Sequence, residues 1–569
     1  QAHCQGCHQP AKAGGDYIMT NVANLLHAGE SGEAAIVPGK PDESYLIAEI
    51  TPGDDGQAEM PKGKPALKPD EIDLIRRWIA EGAVDDTPEN ARREYDQEHL
   101  PVYTRPPVVT SLTYSPDGQL IAVAGFHEVL LHRADGSGLV ARLVGMSERI
   151  ETVAFSPDGR RLAVAGGNPG RLGELQIWNL VPQNAAITEP IAEEEKAAES
   201  TEAAAATAEA TPPAKLDITQ ETIHLAHSIS AAFDTIYGAS WSPDGTLVAV
   251  GCPDNVVRGY NTQTGEQVFF NGAHDDWPLA TIFSVDGSKI VSVGRDMATK
   301  LYEVGTQRFV DNVTSITPGA LKGGLSALAR HPERDEVLVG GSDGVPRIYR
   351  MERITKRVIG DDANLIRKFP GMQGRVFGVA YSPDGKQIAC AATLDGQAQV
   401  FTYSAEFDST LPDDIKGIVQ KVVTQQNQAE KDKLEAYVTA DVQVLKQLNI
   451  AAGIYALAYA PDGTTIAVAG SDGTIRLISA TEGTITKEFA PIDIVEGMQL
   501  ASAANPANSR TGRGTRDPES LPSGSQVTGL TVIPSAVTLH GPWSYTQLLA
   551  VATLSSGEEV DVTRIAQFQ

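Results

Sequence analysis

Residues 151–166 read ETVAFSPDGRRLAVAG, and this stretch decides the architecture of most of the chain. An apolar run, the turn Ser156-Pro157-Asp158-Gly159 and a second apolar run predict two strands joined tightly. The pattern returns at Ser115-Pro116-Asp117-Gly118, Ser242-Pro243-Asp244-Gly245, Ser284-Val285-Asp286-Gly287, Ser382-Pro383-Asp384-Gly385 and Ala460-Pro461-Asp462-Gly463, with His331-Pro332-Glu333-Arg334 as a degenerate copy. The anchors lie 41, 86, 42, 47, 51 and 78 residues apart. Apart from two long gaps, this suits the period of about 40–45 residues of four-stranded propeller blades.

The gaps have compositions of their own. Residues 182–215 form an Ala/Glu tract closed by Pro212-Pro213, without strand alternation or a turn anchor. Residues 405–449 place Ile415, Ile418, Val419 and Val422 at helical spacing, which predicts a helical insertion. Subtracting one period of about 42 leaves roughly 44 and 36 residues, near the lengths of these inserts. Seven blades is therefore the economical count. The array resembles WD40 repeats, with Ile177-Trp178-Asn179, Leu301-Tyr302-Glu303, Ile348-Tyr349-Arg350 and Val400-Phe401-Thr402 in place of the signature dipeptide. The turns Gly341-Ser342-Asp343-Gly344 and Gly470-Ser471-Asp472-Gly473 keep the expected form, and His274 stands where such repeats carry a strand-bracing histidine.

The N-terminus carries a different signal, His3-Cys4-Gln5-Gly6-Cys7-His8. C-x-x-C-H is the spacing at which two thiols can add to the two vinyl groups of one porphyrin, with the adjacent imidazole under the iron. A zinc site or a thioredoxin-like pair is the alternative. Zinc would need two further ligands, for which His3 and His27 are the nearby candidates. A six-coordinate haem takes a second axial ligand, and a thioether raises the reduction potential relative to a second imidazole. Met60, within Glu59-Met60-Pro61-Lys62-Gly63-Lys64-Pro65, is the candidate, on a backbone restricted by prolines. Met19 lies eleven residues from His8, and His27 is the runner-up ligand. Residues 69–82 predict a helix with acids in its first turn, Ile72, Ile75 and Ile79 on one face, and Gly82 as its stop. Leu74 and Trp78 widen that face, and Trp78 is a candidate to pack on the porphyrin. A shorter helix over residues 42–50 offers Tyr45, Leu46 and Ile50 inward.

Residues Cys4 to His8, Glu59-Met60-Pro61 and the helix ending Trp78-Ile79-Ala80-Glu81-Gly82-Ala83 resemble the cytochrome c domain of large planctomycete-type multidomain proteins. The resemblance implies one covalent haem c, with Cys4 and Cys7 as thioether anchors and His8 and Met60 as axial iron ligands. It also implies a periplasmic or extracellular location, because c-type haem is attached outside the cytoplasmic membrane. Three residues precede Cys4, where the family normally places a helix, so the expectation is that either the chain is truncated there or that helix lies outside the structure.

Charge and composition narrow the functions. Lys and Arg number 46 against 73 Asp and Glu, a net charge of −27 that repels phosphate backbones and anionic headgroups, which excludes nucleic acid as a general partner. No run of 18 apolar residues occurs, so no helical membrane span is expected. Four cysteines are too few for a disulfide scaffold, and Cys252 and Cys390 lie in apolar strands where burial is the expectation. Residues 526–569 alternate as two or three strands and are similar to the opening half of a bacterial group 2 Ig-like domain. A sandwich takes about 100 residues, so the chain is expected to stop inside it.

The expected architecture is multidomain and mainly β. An all-α cytochrome c domain (1–88) is followed by a linker (89–107) and a seven-bladed WD40-like propeller (108–490) with insertions at about 182–220 and 405–450. A second linker (491–525) leads to the partial Ig-like sandwich (526–569). The expected function is outer-sphere electron transfer, with the propeller as a platform for other proteins. An acidic redox partner is expected to dock near Lys62, Lys64 and Lys68, within a segment (1–99) that holds nine basic and nineteen acidic residues. The alternatives are a haem–propeller oxidoreductase and an extracellular scaffold with an accessory haem. No G-x-S-x-G, phosphate-binding glycine loop or His cluster is visible, so no catalytic residue is assigned.

Overall fold

The computed structural model describes residues 3–4, 7–9, 12–20, 22–53, 56–85, 95–181, 218–315, 321–358, 361–495, 527–533, 549–554 and 559–561. The Ala/Glu tract and residues 501–525 lie outside these. The chain divides into two compact units, Gln1–Gly497 and Met498–Gln569.

The first 85 residues hold helices α1 (Val22–Leu25), α2 (Tyr45–Ile50) and α3 (Pro69–Ala80), besides a two-stranded sheet of His8–Gln9 with Lys12–Ala13. In α3, Pro69 occupies the first turn, where its missing N–H costs nothing, and the Lys68 amide donates to Glu71 Oε2 at 2.8 Å. Gly82 ends the helix at φ +103°, a conformation open mainly to glycine. Ile72 and Ile79 are buried with Ile36, Ile47, Ile50 and Ala83 in one apolar cluster. Leu74, expected to widen this face, is instead 57% exposed. At about 100° per residue it stands some 200° around the helix from Ile72.

Strands dominate the rest of the first unit. Five sheets are four-stranded antiparallel meanders in chain order, and a sixth sheet has seven strands. The seven-stranded sheet arises because the 17-residue strand Leu139–Phe155 never breaks. Its first half pairs with Phe126–Arg133 and its second half with Arg161–Asn168, so it serves two successive meanders. Among the described residues no sheet is closed on itself. Each of the seven sequence anchors forms the turn between the first and second strands of a meander. At Ser284 the hydroxyl donates to Asp286 Oδ1 at 2.6 Å and accepts the Lys289 amide at 2.9 Å, while Gly287 takes φ +73°.

Second strands show no polar alternation. Leu120–Ala124 is buried at all five positions, because the sheets stack face on face and both sides of a middle strand are covered. Clusters bridge neighbouring sheets, as where Ala163, Ala165, Leu175 and Ile177 meet Ile236, Trp241 and Val248. Leu112, Ile121 and Val123 share a cluster with Ala467, Ala469 and Ile475, so the first meander also packs on the last. Cys252 and Cys390 are buried in such strands as free thiols. Helices α4 (Asp413–Val419) and α5 (Gln428–Val438) stand between the strands Gln397–Ser404 and Val444–Ile450. Ile415, Ile418 and Val419 bury against Ala363.

In the second unit the described residues form a three-stranded antiparallel sheet of Val527–Ile533, Leu549–Leu554 and Glu559–Asp561.

Candidate cofactor site

Cys4 and His8 bracket a single turn, in which the amides of Cys7 and His8 both donate to the Cys4 carbonyl at 3.1 Å. The chain then doubles back, with the Gly14 amide donating to the Cys7 carbonyl at 2.8 Å and the Met19 amide to the His8 carbonyl at 2.9 Å. A Cβ on Gly14 would lie 3.0 Å from that Cys7 carbonyl oxygen, so a side chain there would crowd the return. His8 Nδ1 sits 3.2 Å from the Tyr17 carbonyl oxygen. A carbonyl only accepts, so the proton is on Nδ1 and the Nε2 lone pair is left for a ligand. The Tyr17 hydroxyl donates to the Leu25 carbonyl at 2.8 Å, tying this loop to α1.

These residues face a cavity of about 680 Å³, inside the range of roughly 300–1,000 Å³ typical of cofactor and ligand sites. Cys4, Cys7, His8 and Met60 all line it. Met60 reaches it because its amide donates to the Glu49 carbonyl at 2.9 Å, which fastens the proline loop to α2. Met19 lies on the wall as well, so two thioethers border the space. Lys62 and Lys64 also line it, as do Glu30, Glu33 and Glu49. Neither His27 nor Lys68 is among the lining residues, and nor is Trp78, whose indole N–H donates to the Val84 carbonyl at 3.0 Å. Burial pushes the Cys4 thiol up, and burial, followed by the charge of Cys4, pushes the Tyr17 phenol up to about 12. The donor set suits a covalently held haem: two sulfurs one turn apart, an imidazole of defined tautomer, a thioether and apolar walls. The sequence alone did not single out Tyr17 or Gly14. The Gly14-Gly15 pair seven residues after Cys7 was the available signal.

Residues 4–63 match the family model of planctomycete cytochrome C. The chain carries a planctomycete cytochrome c domain. The match covers Cys4, Cys7, His8 and Met60 and stops short of Trp78. A cytochrome c domain implies a haem cofactor. Residues 223–261 and 363–402 match the WD domain, G-beta repeat, and residues 433–499 match the WD40 domain of anaphase-promoting complex subunit 4. No curated protein matches the chain. Each matched WD repeat starts at the last strand of one meander, His224–Ala232 or Leu365–Lys368, and ends in the third strand of the next. Sequence repeats therefore straddle sheets and lock neighbours together.

Proposed function

We propose that this chain is an exported c-type cytochrome that transfers electrons by an outer-sphere route and uses its WD40 repeats, as a seven-bladed propeller, to hold other proteins. The observation that carries the haem reading is the convergence of Cys4, Cys7, His8 and Met60 on one cavity, with the His8 tautomer set by the Tyr17 carbonyl. Cys4 and Cys7 would hold haem by thioethers, each S–H adding across one vinyl group, and His8 and Met60 would be the axial ligands. Haem supplies an iron that accepts or releases one electron without exchanging its ligands. The Tyr17 carbonyl keeps the His8 ring oriented, and the Glu49 carbonyl fixes the backbone at Met60. Ala35, Leu46 and Ile50 line the space with apolar groups that keep water out. Lys62, Lys64 and Lys68 form the surface on which an acidic redox partner docks. The seven-bladed reading is supported by a second cavity, of about 420 Å³, bordered by the first strand of every meander. The three-stranded sheet of the second unit is proposed as part of an Ig-like domain.

Intact mass and spectroscopy test the haem assignment. The protein is expected to weigh one haem more than its polypeptide and to keep its colour in acidified acetone. Replacing both Cys4 and Cys7 by alanine should release the colour. Met60→Ala should abolish the ferric sulfur-to-iron charge-transfer band. It should also lower the potential by on the order of 0.1 V, within the span of roughly 0.8 V that axial ligands command. If Met19→Ala does this and Met60→Ala does not, the thioether ligand is Met19. Neutralising the three lysines to glutamine should flatten the salt dependence of electron exchange, and an unchanged slope rejects the docking surface.

A further inference from the structure

Six meanders share an irregularity in their first strand. Between Ile150 and Thr152, Tyr237 and Ala239, Pro278 and Ala280, Leu325 and Ala327, Val376 and Gly378, and Ile454 and Ala456, one residue drops out of register with the second strand. The residues left out are Glu151, Gly238, Leu279, Ser326, Phe377 and Tyr455, and all six line the 420 Å³ cavity. A bulge re-aims the side chain it carries, which explains why the same place in successive meanders opens on one space. Of the six, Glu151 alone is a carboxylate.

Several hydroxyls of the wall are occupied. Ser326 Oγ donates to the Val376 carbonyl at 2.8 Å, Thr281 Oγ1 to the Ala249 carbonyl at 2.9 Å, and Thr152 Oγ1 accepts the Gly238 amide at 3.1 Å. These bonds stitch one meander to the next. The Glu151 carboxylate accepts no hydrogen bond and makes no ion pair among the described residues. Burial pushes its carboxyl up, and the charge of Arg149 offsets this only in part. The same wall presents aromatic rings: Tyr237, which feels the charge of Glu151 and is stacked on Trp277 at 6.0 Å, and, on other meanders, Phe377, edge-on to Tyr455 at 5.2 Å. Arg375, also on the wall, has its guanidinium over Phe377 at 5.7 Å.

We propose that this cavity binds an alkylammonium group, such as a lysine side chain, seated on the Glu151 carboxylate with Tyr237, Phe377 and Tyr455 about its stem. A half-buried carboxylate without a partner gains most from a cation that can donate hydrogen bonds to it. Aromatic faces attract the same charge. The net charge of −27 raises the local concentration of cations in a cleft of this kind. An anionic ligand would be repelled by Glu151, and a neutral one would leave its charge uncompensated. The proposal rests on the ring reading of the repeats and is independent of the haem assignment.

Calorimetric titration of the full chain tests it, with Nα-acetyl-lysine methylamide, its Nε-acetylated counterpart and a free alkyl diamine as probes. The expected result is saturable binding of an amine, weakened roughly tenfold or more by Glu151→Gln, as for loss of a charge-assisted hydrogen bond, and lost on Nε-acetylation. Circular dichroism of Glu151→Gln should match the wild type. Binding of the lysine probe identifies a protein segment as the source of the cation, and binding of the diamine alone identifies a small metabolite. Equal binding by Glu151→Gln, equal binding of the acetylated probe, or no saturation up to about 10 mM, weaker than the millimolar range of specific sites, overturns the proposal. The haem assays stand apart from every one of these outcomes.

Discussion

Ser284 and Asp286 show what the recurring turn asks of each residue. The Ser284 hydroxyl, then the Ser288 amide, hold the Asp286 carboxyl down at about 2. Asp384 is held below the usual range in the same way by Ser382. Because the folded value lies under the ordinary value of about 3.9, the stabilisation is complete above that pH and is lost as pH falls through about 2. Ser284→Ala is therefore expected to raise the Asp286 value, read by carboxyl NMR titration. It should cost about 0.5–1.5 kcal/mol in urea at pH 7, with the difference shrinking toward pH 2. His331 departs from the motif: its Nδ1 accepts the amides of Glu333 and Arg334 at 3.1 and 3.2 Å, two and three residues on, where Ser284 and Asp286 accept the Lys289 and Ser288 amides instead. His274 is equally structural. Its ring lies between Asp296 at 2.9 Å and Ser292 at 2.6 Å, the constituents of a nucleophilic triad. Ser292 is 0% exposed and donates on to the Tyr302 hydroxyl at 3.3 Å, so no substrate reaches it. His274→Ala should strand two buried polar groups and cost about 2–4 kcal/mol in equilibrium unfolding.

At the scale of elements, the strands were legible from their turns, whereas their neighbours were not. Apolar runs such as LIAVAG predict burial, but only the stacking of sheets explains why both faces are covered. A second device recurs unannounced by the turn motif. Asp254 pairs with Arg258, Asp296 with Lys300, Asp343 with Arg347 and Asp472 with Arg476, each four residues apart where the second strand turns into the third. The D-x-x-x-R/K spacing was present in the sequence and acquires meaning only when the strand brings both ends together. The bulge at Gly238 is the most constrained of its kind. Its φ is +56°, and a Cβ there would lie 2.4 Å from the Ala280 backbone. Gly238→Ala should cost more than about 2 kcal/mol through strain and separation of two meanders, measured as a lower urea midpoint. A normal midpoint would mean that the contact relaxes freely.

Across the whole molecule, the cytochrome c domain and the sheets have separate cores. The cluster around Ile79 draws only on residues 25–83, and none of these belongs to the clusters of the sheets. Two thermal transitions are expected, since separate cores unfold as separate cooperative units. Ile79→Ala should destabilise the first by about 3 kcal/mol and leave the second in place. A single transition shifted as one would show that the cores are coupled.

Local chemistry was enough to read the C-x-x-C-H turn, the repeat of the strand–turn–strand unit and the helix that Gly82 ends, because each depends on residues adjacent along the chain. Contacts between distant segments were not readable this way. The Tyr17 carbonyl that sets the His8 tautomer, the placing of Met19 and Met60 on the wall of one cavity and the gathering of six bulged residues on another are decided by packing. Trp78 was placed by its spacing on the apolar face of the helix, and only tertiary structure shows its indole N–H bonded to the Val84 carbonyl. Sequence specifies periodicity and bond-forming groups, and only the assembled sheets and helices specify which of those groups share a space.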